Sequence, residues 1–505
     1  MSQALNDLIL GFSVALTPSV FIYAVIGCVI GTLVGMLPGV GPLAGISLLL
    51  PATFGLNPIV AIVLLAGVYY GAMYGGSTTS ILMRIPGEAA SVMTCIDGYA
   101  MTQKGRGGPA LAIAAIGSFV AGTLSVIALM LLAPTIAEVA LRFGPPEYTG
   151  LLAFGLLMLG YMSSGSMLAS LAMAFFGLLL GMIGIDAMTG YTRFTFDIVA
   201  LGDGIGIVPV AVGLFGLSEI LITATSPTEG IVKPRLRDLV PSREEFKASA
   251  APIVRGSVLG FLVGIIPGSA HVISTFLSYG LERRLSKHPE RFGKGAIEGV
   301  AGPESANNAA ATGAFVPLLA LGVPTGPITA VMIAAVIVHG ITPGPLLIQQ
   351  KPELFWGFLA SMYIGNVVLL ILNLPMVGIF INLLRIPYCY LYPCIICLCM
   401  LGVYSVSNNI VDVWIMIVMG ALGYALRKFG FDLAPIALGL VLAPMVELSL
   451  RQSLTMSGGH YSIFLERPVA AGLLILSAAL LIFAMLPSRL TAKWRQISGL
   501  NSVEK

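Results

Sequence analysis

Charge is what this sequence has least of. Lysine, arginine, aspartate and glutamate together make up 10% of its 505 residues, less than half of the roughly 25% that a water-facing domain carries. A soluble globular protein is excluded on that ground. A net charge of +3 over this length leaves no basic stripe, which excludes a nucleic-acid-binding protein. The first 83 residues hold a single charge, Asp7, and neither Lys nor Arg. A secretory leader needs a positive start, so no cleaved signal is expected and the first apolar stretch is expected to stay in the membrane. Histidine is equally sparse: His271, His288, His339 and His460 are not spaced to hold zinc from one helix. No metal site, no resident cofactor and no enzyme activity are therefore expected. The six cysteines lie in or beside apolar runs, where cysteine serves as a small apolar residue.

What the chain has in abundance is apolar sequence, 57% of it, together with 60 Gly and 31 Pro. These glycines and prolines interrupt apolar runs instead of forming polar tracts, so they do not mark a disordered linker. At about 20 residues per span, the length allows roughly 10 to 14 membrane segments. The fold class expected is all-α, a polytopic integral membrane protein embedded in lipid. Several apolar runs, such as 43–50 and 309–322, are too short to cross as one helix and point to broken, re-entrant hairpins.

Positive charge gathers in three places. Residues 226–247 carry Lys233, Arg235, Arg237, Arg243 and Lys247; residues 282–294 carry Arg283, Arg284, Lys287, Arg291 and Lys294; the tail carries Arg489, Lys493 and Arg495. Such clusters are retained in the cytoplasm. The N-terminus is then expected outside and the C-terminus inside.

Two halves share motifs in the same order. Gly35-Met36-Leu37-Pro38-Gly39 returns as Gly264-Ile265-Ile266-Pro267-Gly268, and Ile85-Pro86-Gly87 returns as Val323-Pro324-Thr325-Gly326. Phe196-Asp197 with Pro209 returns as Phe431-Asp432 with Pro444. The offsets are 229, 238 and 235. The expected organisation is a first membrane repeat (1–225), a cytoplasmic linker (226–250), a second repeat (251–450) and an extra helix with a tail (451–505). An outside start and an inside linker make the two repeats inverted relative to one another, the plan of many secondary transporters.

The breaks are the candidate site. Proline removes a backbone donor and glycine permits a sharp reversal, so Pro38, Gly39 and Gly41, and in the second half Pro267, Gly268 and Ser269, can turn the chain inside the membrane. Pro86, Gly87, Pro324 and Gly326 do the same at the second pair of breaks. Backbone freed there can receive an anion or hold a coupling ion, Na+ or H+. Next to the breaks lie Ser77, Thr78, Thr79 and Ser80, and opposite them Asn307, Asn308 and Thr325. Hydroxyls and amides are poor choices for facing lipid and suit a carboxylate ligand, although interhelical packing uses the same small hydroxyls. Arg84 and Glu304 are ionisable groups beside these stretches, and Glu219 and Glu447 are weaker candidates for a coupling ion. Asp197 and Asp432 read as helix caps.

The motifs Gly35-Met36-Leu37-Pro38-Gly39 with Gly41-Pro42, Tyr70-Gly71-Ala72-Met73-Tyr74-Gly75-Gly76-Ser77, Ile85-Pro86-Gly87-Glu88 and Gly302-Pro303-Glu304-Ser305-Ala306-Asn307-Asn308 resemble those of the large membrane subunit of the tripartite tricarboxylate transporter family. The resemblance covers roughly residues 10–485. It implies a bacterial inner-membrane permease that takes up citrate-like carboxylates by an ion gradient. It also implies two partners, a small integral membrane subunit and a periplasmic solute-binding protein. The alternative is an organic-anion exporter or exchanger that works alone.

Overall fold

The computed structural model describes residues 2–37, 41–84, 86–162, 166–186, 188–223, 239–268, 270–379 and 388–485. Proline opens several of the helices, because its fixed φ suits the first turn and its missing N–H is one that a helix start does not use. α1 (Ser2–Ala15) leads to α2 (Pro18–Met36), the short α3 (Gly41–Leu49) and α4 (Pro58–Met83), where Asn57 caps the start by accepting from the Ile59 N–H at 3.2 Å. α5 (Val92–Gln103), the 34-residue α6 (Gly107–Ala140), α7 (Pro145–Met162) and α8 (Met167–Gly181) follow. A small antiparallel hairpin then pairs Gly184 with Arg193 and Ile185 with Thr192. The chain returns through α9 (Ile207–Ala211), a π-helical stretch (Val212–Leu217) and α10 (Ser218–Thr223).

α11 (Arg243–Gly264) opens on a reciprocal cap. The Ser242 hydroxyl accepts from the Glu245 N–H at 3.3 Å, and the Glu245 carboxylate accepts from the Ser242 N–H at 2.8 Å. Its first turns fall inside the stretch read from sequence as linker. α12 (Ala270–Leu285), α13 (Glu298–Gly313), α14 (Phe315–Leu321), α15 (Pro327–Val338), α16 (Leu347–Gln350) and α17 (Pro352–Asn373) come next. α18 (Tyr388–Ser407), α19 (Ile410–Lys428), α20 (Ala434–Met456), α21 (Ile463–Glu466) and α22 (Pro468–Met485) complete the described chain. Asp432 caps α20, accepting from the Ala434 N–H at 3.0 Å.

Among the described residues seven helices are long and apolar enough to cross a membrane. With strand confined to one short hairpin among them, the chain is an all-α polytopic membrane protein, as its composition implied.

The centre is built from two pairs of closely approaching helices. On α2, Gly27, Gly31 and Gly35 lie against the carbonyls of Leu64, Val68 and Ala72 on α4, so close that a Cβ on Gly31 would stand 2.5 Å from the Val68 oxygen. On α11, Gly256, Gly260 and Gly264 lie in the same way against Gly302, Ala306 and Ala310 on α13. The glycines correspond at an offset of 229 and their partners at 238, the offsets of the two Pro-Gly motifs. Small residues at four-residue spacing let membrane helices touch backbone to backbone. Within each pair the helices run parallel. Between pairs they run antiparallel: Ser77 of α4 meets Glu304 in the first half of α13, whereas the rings of Tyr69 and Tyr70 pack at an angle against Phe315 just past its end, at 5.8 and 5.9 Å between ring centroids. α13 is buried from Gly299 to Gly313 and α4 from Val60 to Leu82, apart from the half-buried Tyr70.

Candidate functional site

Two corresponding helix ends stand at the breaks, one in each half. Arg84 ends α4 in a left-handed conformation at φ 58°, and Gly322 ends α14 at φ 70°. Each is followed by a tight turn closed by a hydroxyl: Ser91 Oγ accepts from the Glu88 N–H at 3.4 Å, and Thr329 Oγ1 accepts from the Gly326 N–H at 2.9 Å and the Thr325 N–H at 2.9 Å. Within each half the second break touches the first. Gly87 lies directly against the Gly35 carbonyl, and the Gly268 N–H donates to the Thr325 carbonyl at 2.6 Å. Gly41 approaches the Gly87 carbonyl, and Gly326 approaches the Gly268 carbonyl. Pro267 precedes that junction, while Pro86 and Pro324 stand beside the residues that turn. Pro38, Gly39 and Ser269, also singled out from sequence, lie outside the described residues.

At the crossing of α4 and α13 stands Glu304, fully buried. Ser77 and Thr94 hydroxyls donate to its two carboxylate oxygens. None of the ion pairs among the described residues includes it. A carboxylate taken out of water without a counter-charge costs several kcal/mol, so this position calls for a proton or a cation. One helical turn on, Asn307 donates to the Glu88 carboxylate at 2.6 Å, joining α13 to the second break of the first half. Its own Oδ1 is buried without a hydrogen-bond partner. Tyr69 and His271 hydrogen-bond in the reciprocal sense, joining α4 to the first break of the second half.

The remaining residues named from sequence divide by what they touch. Asn308 donates to Ser118 Oγ at 2.7 Å and to the Glu304 carbonyl at 3.1 Å, and with Thr312, Tyr70 and Tyr74 it lines a small cavity. Ser77 and Thr78 line a second small cavity with Tyr74 and Ser118. Thr79 and Ser80 bond back to the Gly76 carbonyl, and Ser80 also donates to Ser91 Oγ at 2.9 Å. α4 thus stays helical through all four hydroxyls, with no unwound backbone there. The Thr325 hydroxyl reaches only Thr329, at 3.4 Å within its own turn, and Arg84 is exposed.

Glu219 and Glu447 do not resemble Glu304. Arg427 pairs with Glu219, and Arg193 and Arg451 both pair with Glu447, so neither is a carboxylate in search of a cation. Sequence reasoning passed over Thr94, Tyr69 and the role of Glu88. Only Glu88 carried a signal, a lone acid directly after Pro86-Gly87. No group of three or more His, Cys, Asp or Glu able to hold a metal ion occurs among the described residues.

The model of the tripartite tricarboxylate transporter TctA family matches residues 21–438. The "Uncharacterized 52.8 kDa protein in TAR-I ttuC' 3'region" of Agrobacterium vitis is 49% identical over 490 residues, 97% of each chain. The "Uncharacterized protein in TAR-II ttuC' 3'region" of the same organism is 51% identical over 229 residues, 45% of this chain and 95% of that one. No solved structure matches.

Proposed function

The chain belongs to the tripartite tricarboxylate transporter TctA family, and from that premise we propose that it is the large permease subunit of a carrier that imports carboxylates by alternating access. Glu304 carries the reading. A buried carboxylate, ringed by hydroxyls and lacking a basic partner at the crossing of two corresponding helices, is suited to take the coupling ion, Na+ or H+. Once Glu304 is neutralised, Ser77, Thr78, Thr79, Ser80, Asn307, Asn308 and Thr325 hold the substrate carboxylates. Backbone at the Pro-Gly breaks adds partial positive charge.

Two inverted repeats give this site its two faces. That plan is supported by the shared glycine spacing, by the matched left-handed ends at Arg84 and Gly322, and by the antiparallel course of α4 and α13. The basic stretches support a cytoplasmic side for 226–250 and the C-terminus and a periplasmic side for the N-terminus, in a bacterial inner membrane. A small membrane subunit and a periplasmic binding protein complete the system and deliver the substrate.

Reconstitution into proteoliposomes with the two candidate partners tests this, using labelled citrate and succinate under an imposed Na+ or H+ gradient. Accumulation that needs both the gradient and the binding protein is expected. Transport by the chain alone at the full rate would instead mark a stand-alone exchanger. Ser77→Ala with Asn307→Ala, if stable and inserted, abolishes uptake; wild-type uptake in that double variant would refute the site.

A further inference from the structure

A cavity with several charged side chains in its wall lies away from this crossing. It measures about 500 Å³, within the range of small-molecule sites. Its walls come from the hairpin after α8, the end of α15 and the second half of α20, and are mostly apolar (Ile183, Ile205, Ile337, Leu440). The charged residues lining it are Arg193, Arg451, Glu447 and Asp203. Arg193 grips Glu447 in a fork, Nη1 to Oε1 at 2.7 Å and Nη2 to Oε2 at 3.0 Å, and Arg451 adds Nη1 to Oε1 at 2.9 Å.

The fourth member of the cluster is of a different kind. Asp186 does not line the cavity. Its Oδ1 is held by the Met188 and Thr189 N–H groups at 2.8 and 2.7 Å, and its Oδ2 anchors Arg451 at 2.6 Å and Arg193 at 3.1 Å. It is a fixed counter-charge behind the two arginines. Glu447 receives hydrogen bonds only from these arginines and stands on a flexible side chain at the cavity wall. Arg193 Nε is buried and has no hydrogen-bond partner among the described residues.

We propose that this cavity is a second carboxylate-binding site, a vestibule in which Glu447 occupies the place of a ligand carboxylate. A fork-on-fork arginine contact is the geometry by which carboxylates are recognised. When a ligand carboxylate displaces Glu447, Arg193 and Arg451 keep their alignment through Asp186. The class of ligand is a small anion with two or more carboxylates. The proposal rests on the carrier reading, yet shares no residue with the crossing of α4 and α13. The hairpin stands before Ile207, the start of the α9–α10 helix, and the linker proposed as cytoplasmic follows that helix in sequence, so the vestibule is proposed to face the periplasm, where substrate arrives.

Titration calorimetry of the purified full chain with citrate and with succinate tests it. Glu447→Gln removes the competing charge and is expected to tighten binding by about tenfold, whereas Arg193→Lys and Arg451→Lys weaken it by about tenfold, since lysine cannot reproduce the fork. Opposite signs are the signature; a merely structural cluster would make all three variants weaker or leave all three unchanged, and either result overturns the proposal. Should a variant unfold in detergent, half-saturation for citrate uptake in proteoliposomes gives the same comparison. An anionic phospholipid that co-purifies with the wild type, is lost from Arg193→Lys and resists displacement by citrate also overturns it. Wild-type uptake with unaltered variants defeats the vestibule alone; a wild type that neither binds nor moves citrate or succinate defeats the carrier reading with it.

Discussion

Glu304 and Asn307 sit one turn apart on α13 and meet different partners, which separates their roles. Glu304 accepts from Ser77 and Thr94 and has no ion-pair partner among the described residues, so neutralising it by substitution mimics the ion-loaded state. Glu304→Gln is expected to lower gradient-driven accumulation by at least about tenfold while exchange of labelled for unlabelled substrate persists, because only the ion-coupled step needs the carboxylate. Equal loss of both activities in a properly inserted variant would count against coupling there. Asn307 ties α13 to Glu88 and leaves an oxygen unpaired. Asn307→Asp places a second acid against Glu88 and is expected to weaken carboxylate uptake more than Asn307→Gln, read as the half-saturation concentration. The residue types at these positions were legible in the sequence as polar groups in an apolar stretch. Their pairing was not, since Thr94 and Glu304 are 210 positions apart.

At the scale of elements, packing distance decides what is tolerated. Gly31 on α2 and Gly260 on α11 face carbonyls directly, so a Cβ at either forces the helices apart. Overpacking of this kind costs about 1–3 kcal/mol, and Gly31→Ala or Gly260→Ala is expected to lower the unfolding midpoint in detergent. Gly155 has open space beside it, and Gly155→Ala serves as the neutral control. The hairpin after α8 behaves differently because its anchor is electrostatic. The Thr189 N–H first, and then Arg451, hold the Asp186 carboxyl well below the usual carboxylate range. A depressed value means the anchoring is in full force above the unfolded value and fades only as pH falls through the folded one. Protection of residues 182–206 from protease should therefore persist down to about pH 4, and Asp186→Asn should abolish it at neutral pH. The turn chemistry of Asp186 is local and could have been anticipated. That Arg451, 265 positions away on α20, closes on it could not.

For the whole molecule, the membrane topology is the most exposed expectation. With the repeats inverted, cysteines introduced at Gln3 and Val240 in a cysteine-free chain react with impermeant reagents from opposite sides of the membrane. Reaction from one side would end the inverted plan. Sequence alone determined the bilayer environment, the all-α class, the family and the two sets of Pro-Gly breaks, because scarcity of charge and the backbone properties of proline and glycine are local and survive without knowledge of the fold. The glycine stripes were present in the sequence too, but as single residues among 60. Only the tertiary structure decided which helices those stripes join, that Glu304 has no ion-pair partner among the described residues, and that Glu447, a coupling-ion candidate on sequence alone, is held by Arg193 and Arg451. The reason is physical: the burial and partners of a charge are set by what lies beside it in space, and across 210 or 254 residues of chain that neighbour leaves no pattern in the sequence.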